Sequence, residues 1–534
     1  MAAKLRNGFF ILLVLFFSIS SPAIEPRFFT TSPPSPVGSG ARAMGVGGAF
    51  IAVGDDATAA SWNPACLIQL EKPEASFVFT DDYRDIGGNK SEGVTDVNYL
   101  SWSFPFSAQD INMIVSFNYQ RLFDFYFNYA RDLAPKNIPP ALQGYMIGPG
   151  NGLPQTFNAQ YDTYMLSMHS EGSDSSITSN QKGALGAFSP AFAIQLMPQL
   201  SVGFTYNFWN TAWMGNSYRS HYQETQSAYS RDDGGYAWDT NGDCTCNGGQ
   251  PCLGEIGGGG QSNNEIVDNL ACIDQWVPQS VVDGAHLYDG SPLEPNPKVH
   301  IASVNAKTII DQEYELQGQN FNLGFLFDTG ARWSFGGVYR SKLAMSSRRS
   351  VRWSLVQTGT SEAHGGGTDT YNEHVYFPES FGLGAGYRYS DALSFTADVT
   401  RTNWDQYVYE LENGSRYSLV SGLRQGLSET EPTTTVRAGA EYLIIKPKYV
   451  VPIRVGAFYD PEPGIHKPDD VWGGTIGTGF AWKYLIFDLT YFYRWGNHVL
   501  LSSSTDPTHT ELQDVKRGKL TQQQIMFSTI LHFQ

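Results

Sequence analysis

Cys244, Cys246, Cys252 and Cys272 fall close together in one Gly- and Asp-rich stretch, whereas Cys66 stands alone. In an oxidising compartment such a cluster predicts two disulfides, for which three pairings exist. Zinc is the weaker reading, because no His sits among the four at ligand spacing. Just upstream, Asp239-Thr240-Asn241-Gly242-Asp243 resembles the front of a calcium loop. The position that should hold a bidentate Glu is Gln250, so a polar turn is expected instead. There is no nucleophile elbow, no His-Glu-x-x-His and no phosphate-binding loop. Neither an enzyme nor a cofactor or metal protein is expected.

A second set of side chains is charged and lies in otherwise apolar, Gly-rich segments: Arg340, Lys342, Arg388, Asp398, Arg437, Glu441, Arg454, Asp488 and Arg494. Alternation places all of them on the face opposite the large apolar residues. Buried together they would form a network of ion pairs. A cation left without a partner beside apolar walls would suit the carboxylate of an amphipathic acid. Arg340 and Lys342 are the leading candidates, followed by Arg437. Trp209, Phe458 and Phe492 share that face and would line a path or fill space.

The elements that must carry these residues are strands. In 200–208, Leu200, Val202, Phe204, Tyr206 and Phe208 share one face and Ser201, Gly203, Thr205 and Asn207 the other. Phe381, Leu383, Ala385 and Tyr387 oppose Gly382, Gly384 and Gly386 in the same way, as do Leu393, Phe395, Ala397 and Val399 against Ser394, Thr396 and Asp398. A strand crossing lipid needs about 9–11 residues with this period. About fourteen such segments lie between 74 and 533, joined alternately by short turns and longer polar loops. Among the turns are Met197-Pro198-Gln199, Asp328 to Arg332, Ser390-Asp391-Ala392, Pro447-Lys448 and Trp482-Lys483-Tyr484. The fold class expected is all-β: a transmembrane antiparallel β-barrel of about fourteen strands spanning 71–534.

The N-terminus agrees with an exported protein. Lys4 and Arg6 precede an apolar run from Phe9 to Ile19, and Ser21-Pro22-Ala23 offers a signal peptidase site, so 1–23 is read as a signal peptide. The run is too short for a membrane helix. The net charge of −17 excludes a basic surface for nucleic acid. Two long external loops are expected near 130–183 and 225–304, the first with a short helix over Ile138–Met146. Two residues disturb the strand pattern. Pro190 lies inside a strand and has no N–H to give. Arg121 falls on the outward face, so either it reaches the outer interface or the strand bulges and turns it inward.

Residues 38–67, GSGARAMGVGGAFIAVGDDATAASWNPACL, resemble the N-terminal hatch of the FadL/TodX family of outer-membrane transporters for long-chain fatty acids and hydrocarbons. The triplet Asn63-Pro64-Ala65 carries most of that likeness, although Cys66 stands where the family has Gly. The stretches GVYRSKL at 337–343, FPESFGLGAGYRYSDALSFTADVTRTNW at 377–404, VRAGAEY at 436–442 and RVGAFYDPEPG at 454–464 are similar to the family as well. The resemblance implies a hatch over 24–70 inside the barrel and an N-terminus whose Phe28 and Phe29 reach the internal pocket. It implies passive uptake of a hydrophobic compound and lateral exit through the wall, for which the defects at Arg121 and Pro190 mark a candidate seam. The partners expected are the hydrophobic compound, outer-membrane lipid and lipopolysaccharide, and the barrel-assembly machinery, with the protein a monomer in the bacterial outer membrane. The competing expectation is a PorV-like structural or secretion-associated barrel that binds proteins, since such barrels share the hatch pattern.

Overall fold

The computed structural model describes residues 35–36, 38–90, 94–147, 163–239, 300–359, 362–505 and 510–533. The signal peptide expected at 1–23, Phe28, Phe29 and the four clustered cysteines lie outside the described residues. The chain forms one antiparallel sheet that closes on itself. Strand Glu74–Ile86 pairs on one side with Val94–Ala108, where Phe77 faces Leu100, and on the other with the final strand Leu512–His532, where Phe79 faces Phe527. From Val94–Ala108 the ladder runs through Ile111–Asp124, Ala191–Met197, Leu200–Trp209 and His300–Asp328. It continues through Trp333–Arg340, Ser380–Arg388, Leu393–Thr402, Thr433–Lys446 and Tyr449–Tyr459. Trp472–Trp482 and Leu485–Thr505 then lead back to the final strand. Closure leaves no free edge, which is what a wall in lipid requires.

Alternation explains the wall. Phe204, Phe208, Leu323, Phe325, Phe327, Phe335, Phe381, Leu383, Val399 and Ile476 all stand exposed on the outer face. Their neighbours Ser201, Thr205, Asn207, Asn322, Thr396, Asp398 and Thr475 are buried inside. A continuous apolar belt of this kind marks a membrane surface. No helix among the described residues is long and apolar enough to cross a membrane. The short turns close one rim: Gln109 and Asp110 both take positive φ, 50° and 61°, in a two-residue hairpin turn.

Fourteen strands follow one another round the closed circuit, while the sheet as a whole is divided into 23 strand segments among the described residues. Part of the excess comes from staves that break in two. Ser189-Pro190 separates Thr163–Phe188 from Ala191–Met197, and a helical turn at Thr211–Met214 separates Leu200–Trp209 from Ser217–Asp239. Ser341-Lys342 and Pro378-Glu379 interrupt two further staves. The expected long loops are also shorter than 130–183 and 225–304. Phe127–Ile147 pairs with Thr163–Phe188, so the helix expected at Ile138–Met146 is strand instead. Ser217–Asp239 and His300–Asp328 likewise extend the sheet beyond the apolar belt. There the outer face meets water, strands need no apolar side, and hydrophobic alternation is lost.

Residues 38–70 pack inside the ring. Ala41–Gly45 and Ala59–Trp62 are short helical turns, and Pro64–Gln69 is a 3₁₀ turn. The Asn63 side chain caps that turn by accepting from the Ala65 N–H, with Pro64 at its first position. Leu67 is fully buried, worth roughly 1.5–3 kcal/mol. It packs with Ala57, Ala60 and Ala65 against Ile114 and Ala193 of the wall.

Candidate functional site

The wall receives this inner segment through glycines and threonines. A Cβ at Gly203 would overlap the Pro64–Ala65 backbone, and one at Gly324 would overlap Asn63 Oδ1. Gly336 lies against the Ile51 carbonyl, Gly439 against the Val46 carbonyl and Gly456 against the Gly47 backbone. Where the segment turns sharply, Gly47 and Gly48 take φ of +74° and +75°. The segment's carbonyls are then met by wall hydroxyls. Thr490 donates to Ala41 at 2.6 Å, Thr475 to Gly45 at 3.0 Å, Thr396 to Ala49 at 2.8 Å and Thr205 to Ala60 at 2.9 Å. Asn63 Nδ2 donates to the carbonyls of Ile51 at 2.8 Å and of Phe325 in the wall at 2.9 Å. Thus Asn63, Pro64 and Ala65 are a docking element. Cys66 is buried beside them, and burial pushes its thiol pKa upward.

Above this segment lies a cavity of about 190 Å³. Met44, Ile51 and Trp62 form part of its floor, and Phe458, Phe492, Leu122 and Trp404 contribute apolar wall. Phe458 and Phe492 stack at 4.9 Å. The polar lining is denser than a hydrocarbon path would need: Thr400, Thr402, Thr433 and Thr435 stand with Arg340, Asp398, Arg437 and Arg494. Their pairing is uneven. Arg494 meets Glu462 at 2.5 Å, and Arg437 approaches Asp460 at 3.5 Å. Burial pushes the Glu462 carboxyl above its ordinary pKa, opposed by Arg494. Arg340 donates to the Trp62 carbonyl at 2.8 Å and makes no ion pair among the described residues. Asp398 accepts from the Ile51 N–H at 2.9 Å through one oxygen, while its other oxygen has no donor among the described residues.

The remaining charges expected inside mostly form a network. Arg454 pairs with Glu441 at 2.7 Å and Asp488 at 2.5 Å, and Arg42 joins Glu441 at 3.2 Å from the inner segment. Arg388 is exposed at the rim. Lys342 corrects the sequence reading. The interruption at Ser341-Lys342 shifts the phase of the stave by one residue, so Leu343 and Met345 point inward and Lys342 is exposed on the outer face. Its ammonium lies 4.8 Å from the centre of the Tyr376 ring. Arg340 and Lys342 therefore do not form a joint site.

Trp209 also lies apart from the cavity. It is buried in an apolar cluster with Leu185, Tyr218, Phe377 and Tyr407, and its indole N–H donates to Asn320 at 3.0 Å. Phe123 bridges Trp209 and Phe377 at ring distances of 5.9 and 4.8 Å. The segment from Trp404 to Val420 folds over this cluster, with Tyr407, Leu419 and Val420 buried in it.

Both strand defects are real and adjacent. The ladder shifts register between Arg121 and Phe123, and Arg121 turns inward, where it is 3% exposed and pairs with Asp96 and Asp124. Arg121 itself faces Gly186; a few residues along the same seam Ser189 and Pro190 belong to neither neighbouring strand, and the Ser189 N–H donates to the Asn118 carbonyl at 2.7 Å. Ser35 and Pro36 pair with Asp124 and Phe123 just past the bulge.

No family model and no curated protein matches the sequence. Among solved structures, a Pseudomonas aeruginosa FadL homologue aligns with 95% of this chain and 100% of its own, at 13% identity and a TM-score of 0.45. The CymD monoaromatic hydrocarbon channel aligns with 93% and 98%, at 13% identity and 0.45. The Pseudomonas putida toluene transporter TodX aligns with 93% and 99%, at 13% identity and 0.42.

Proposed function

We propose that this chain is a passive uptake channel of the bacterial outer membrane for small hydrophobic compounds carrying a polar, acidic end. The observation that carries the reading is the cavity above residues 38–70. It combines stacked Phe458 and Phe492 with one cation, Arg340, that makes no ion pair among the described residues, with Asp398 of the same lining acting on it only through the longer-range field. Such a site holds the apolar body of a ligand against aromatic faces and meets its charge with a guanidinium. The sequence resemblance to the FadL/TodX family supports the same reading. In it, residues 38–70 are the hatch that must move before cargo leaves. The seam along Ile111–Asp124, where it passes from Ala191–Met197 to Thr163–Phe188, is the exit, because the break at Ser189-Pro190 and the bulge at Arg121 already weaken the ladder there.

The test is uptake by liposomes carrying the purified protein. Amphipathic acids and neutral hydrocarbons of matched size would be compared with protein-free liposomes. Accelerated entry of acids, lost in the Arg340→Met variant, is the expected result. Entry no faster than through protein-free liposomes would remove the transport reading.

A further inference from the structure

The phase shift that moves Lys342 outside exposes a second site. Along Leu393–Thr402, Phe395, Ala397 and Val399 face lipid, and the next outward residue is the exposed Arg401. Arg401 is the register partner of Phe381, an outer belt residue. Phe381 packs on Tyr339 at 4.9 Å, and Lys342 follows Tyr339 on the neighbouring stave. These residues therefore stand on the outer wall at the level where the aromatic belt ends, on the rim opposite the short turns.

The charges there are not balanced. Arg416 and Glu410 pair at 2.7 Å, and Tyr376 donates its hydroxyl to Glu410 at 3.0 Å. Glu379 accepts from Tyr339, Asn403 and Gln406. Lys342 makes no ion pair among the described residues; its ammonium rests on the Tyr376 ring, whose other cation is Arg416 at 5.3 Å, and acts on the Glu379 carboxylate only through the longer-range field. Among the described residues Arg401 hydrogen-bonds Thr434 alone, at 3.2 Å. Three cations thus face two carboxylates here, and two of the three, Lys342 and Arg401, are in no ion pair, although the chain as a whole carries a net charge of −17.

The geometry points to a docking site for a phosphorylated glycolipid of the outer leaflet. Lys342 and Arg401 take its phosphate, and the belt at Tyr339, Tyr376 and Phe381 takes its acyl chains. At this height the lipid changes from hydrocarbon to phosphate-bearing sugar. A cation fixed on an aromatic ring and a guanidinium free for bidentate bonding match that change. The site rests on the outer-membrane reading but not on transport, since it faces away from the lumen.

The experiment measures binding by the purified, detergent-solubilised protein of three probes: bis-phosphorylated lipid A, the same lipid with its phosphates removed, and phosphatidylglycerol. Unheated and boiled samples on SDS gels verify that the barrel is closed in wild type and in the Lys342→Gln, Arg401→Gln double variant. We expect lipid A to bind at least tenfold more tightly than either other probe, and the double variant to lose that preference. Equal binding of the dephosphorylated lipid or of phosphatidylglycerol to wild-type protein would overturn the site, as would an unchanged preference in a closed double variant. A wild-type protein that is not closed or not found in outer membranes would instead defeat the reading on which the site rests.

Discussion

Replacing Asn63 with Ala should free residues 38–70 from the wall without opening the barrel. Three hydrogen bonds vanish: the cap from Ala65 N–H at 3.1 Å and the two donations to the Ile51 and Phe325 carbonyls at 2.8 and 2.9 Å. Two of them are buried and the bond to Phe325 is partly buried, so the groups left behind gain little solvent contact in the docked state. A buried group left unsatisfied costs about 1–3 kcal/mol. Ile51 O keeps a contact with the Cys66 thiol at 3.2 Å, which places the total at the lower end, about 2–4 kcal/mol. At about 1.4 kcal/mol per decade, opening becomes roughly 30- to 700-fold more frequent. Amide hydrogen exchange read peptide by peptide is the assay, because it reports local opening separately from global unfolding. Protection should fall by that factor across 44–70 and stay unchanged in Thr433–Lys446 and Trp472–Trp482. Gly324→Ala is an independent route to the same outcome, since its methyl group would overlap Asn63 Oδ1 while leaving the side chain intact. If both variants change exchange of 44–70 by less than threefold, the docking account is wrong.

Four further outcomes follow from the same geometry. Arg340→Ala should weaken binding of acids by about tenfold or more while neutral analogues change little, as expected for loss of one charge-assisted contact worth about 1.5–3 kcal/mol; equal losses measured by ligand titration would remove the carboxylate role. Thr396→Val, Thr475→Val and Thr490→Val should each raise exchange of residues 41–50, by about two- to tenfold, because each removes one hydroxyl bond of about 0.5–1.5 kcal/mol; a combined variant indistinguishable from wild type would contradict this. Cross-linking the register partners Tyr119→Cys and Phe188→Cys should stop uptake and reduction should restore it, whereas wild-type rates in the locked protein would place the exit elsewhere. Thiol titration should find Cys66 unreactive in the folded barrel and reactive after unfolding, and Cys244, Cys246, Cys252 and Cys272 reactive only after reduction; four reactive thiols before reduction would exclude the disulfides.

The wall was legible because lipid imposes a rule on every second residue. Phe395, Ala397 and Val399 against Thr396 and Asp398 could be assigned to faces without any structure, and so could the ends of the short turns. The rule stops where lipid stops. In GSDSSITSNQ at 172–181 both faces of the strand are polar, so a paired strand reads as loop. Breaks within a stave were half legible. Pro190 announces its own, whereas Ser341-Lys342 contains no residue that disfavours a strand, and the one-residue slip there sends Lys342 to the wrong face. The triplet Asn63-Pro64-Ala65 announced a special turn. The glycines that receive it were visible only as small residues on an inner face, because a seat is defined by what approaches it.

The way residues 38–70 are held bears on how a channel of this design could open. Large side chains anchor one part, where Met44, Phe50 and Trp62 are buried with Val78, Tyr99 and Met526 of the wall, whereas the cluster around Leu67 is built mostly from alanines and other stretches meet glycine backbone. Beyond that packing, the segment is held by a set of separate bonds from Thr205, Thr396, Thr475, Thr490 and Asn63 to main-chain carbonyls, together with the Arg42 pairing to Glu441. Apolar packing released into a lumen would have to expose its area all at once. Hydroxyl-to-carbonyl bonds can be exchanged for water one at a time, each at about 1 kcal/mol net. The same segment forms the cavity floor and supplies the Trp62 carbonyl to Arg340. A ligand anion that draws Arg340 away from that carbonyl therefore weakens the segment's hold at the point where the ligand sits. Under the proposed function, binding and release would thus be coupled through one guanidinium, with no signal needed from elsewhere in the barrel.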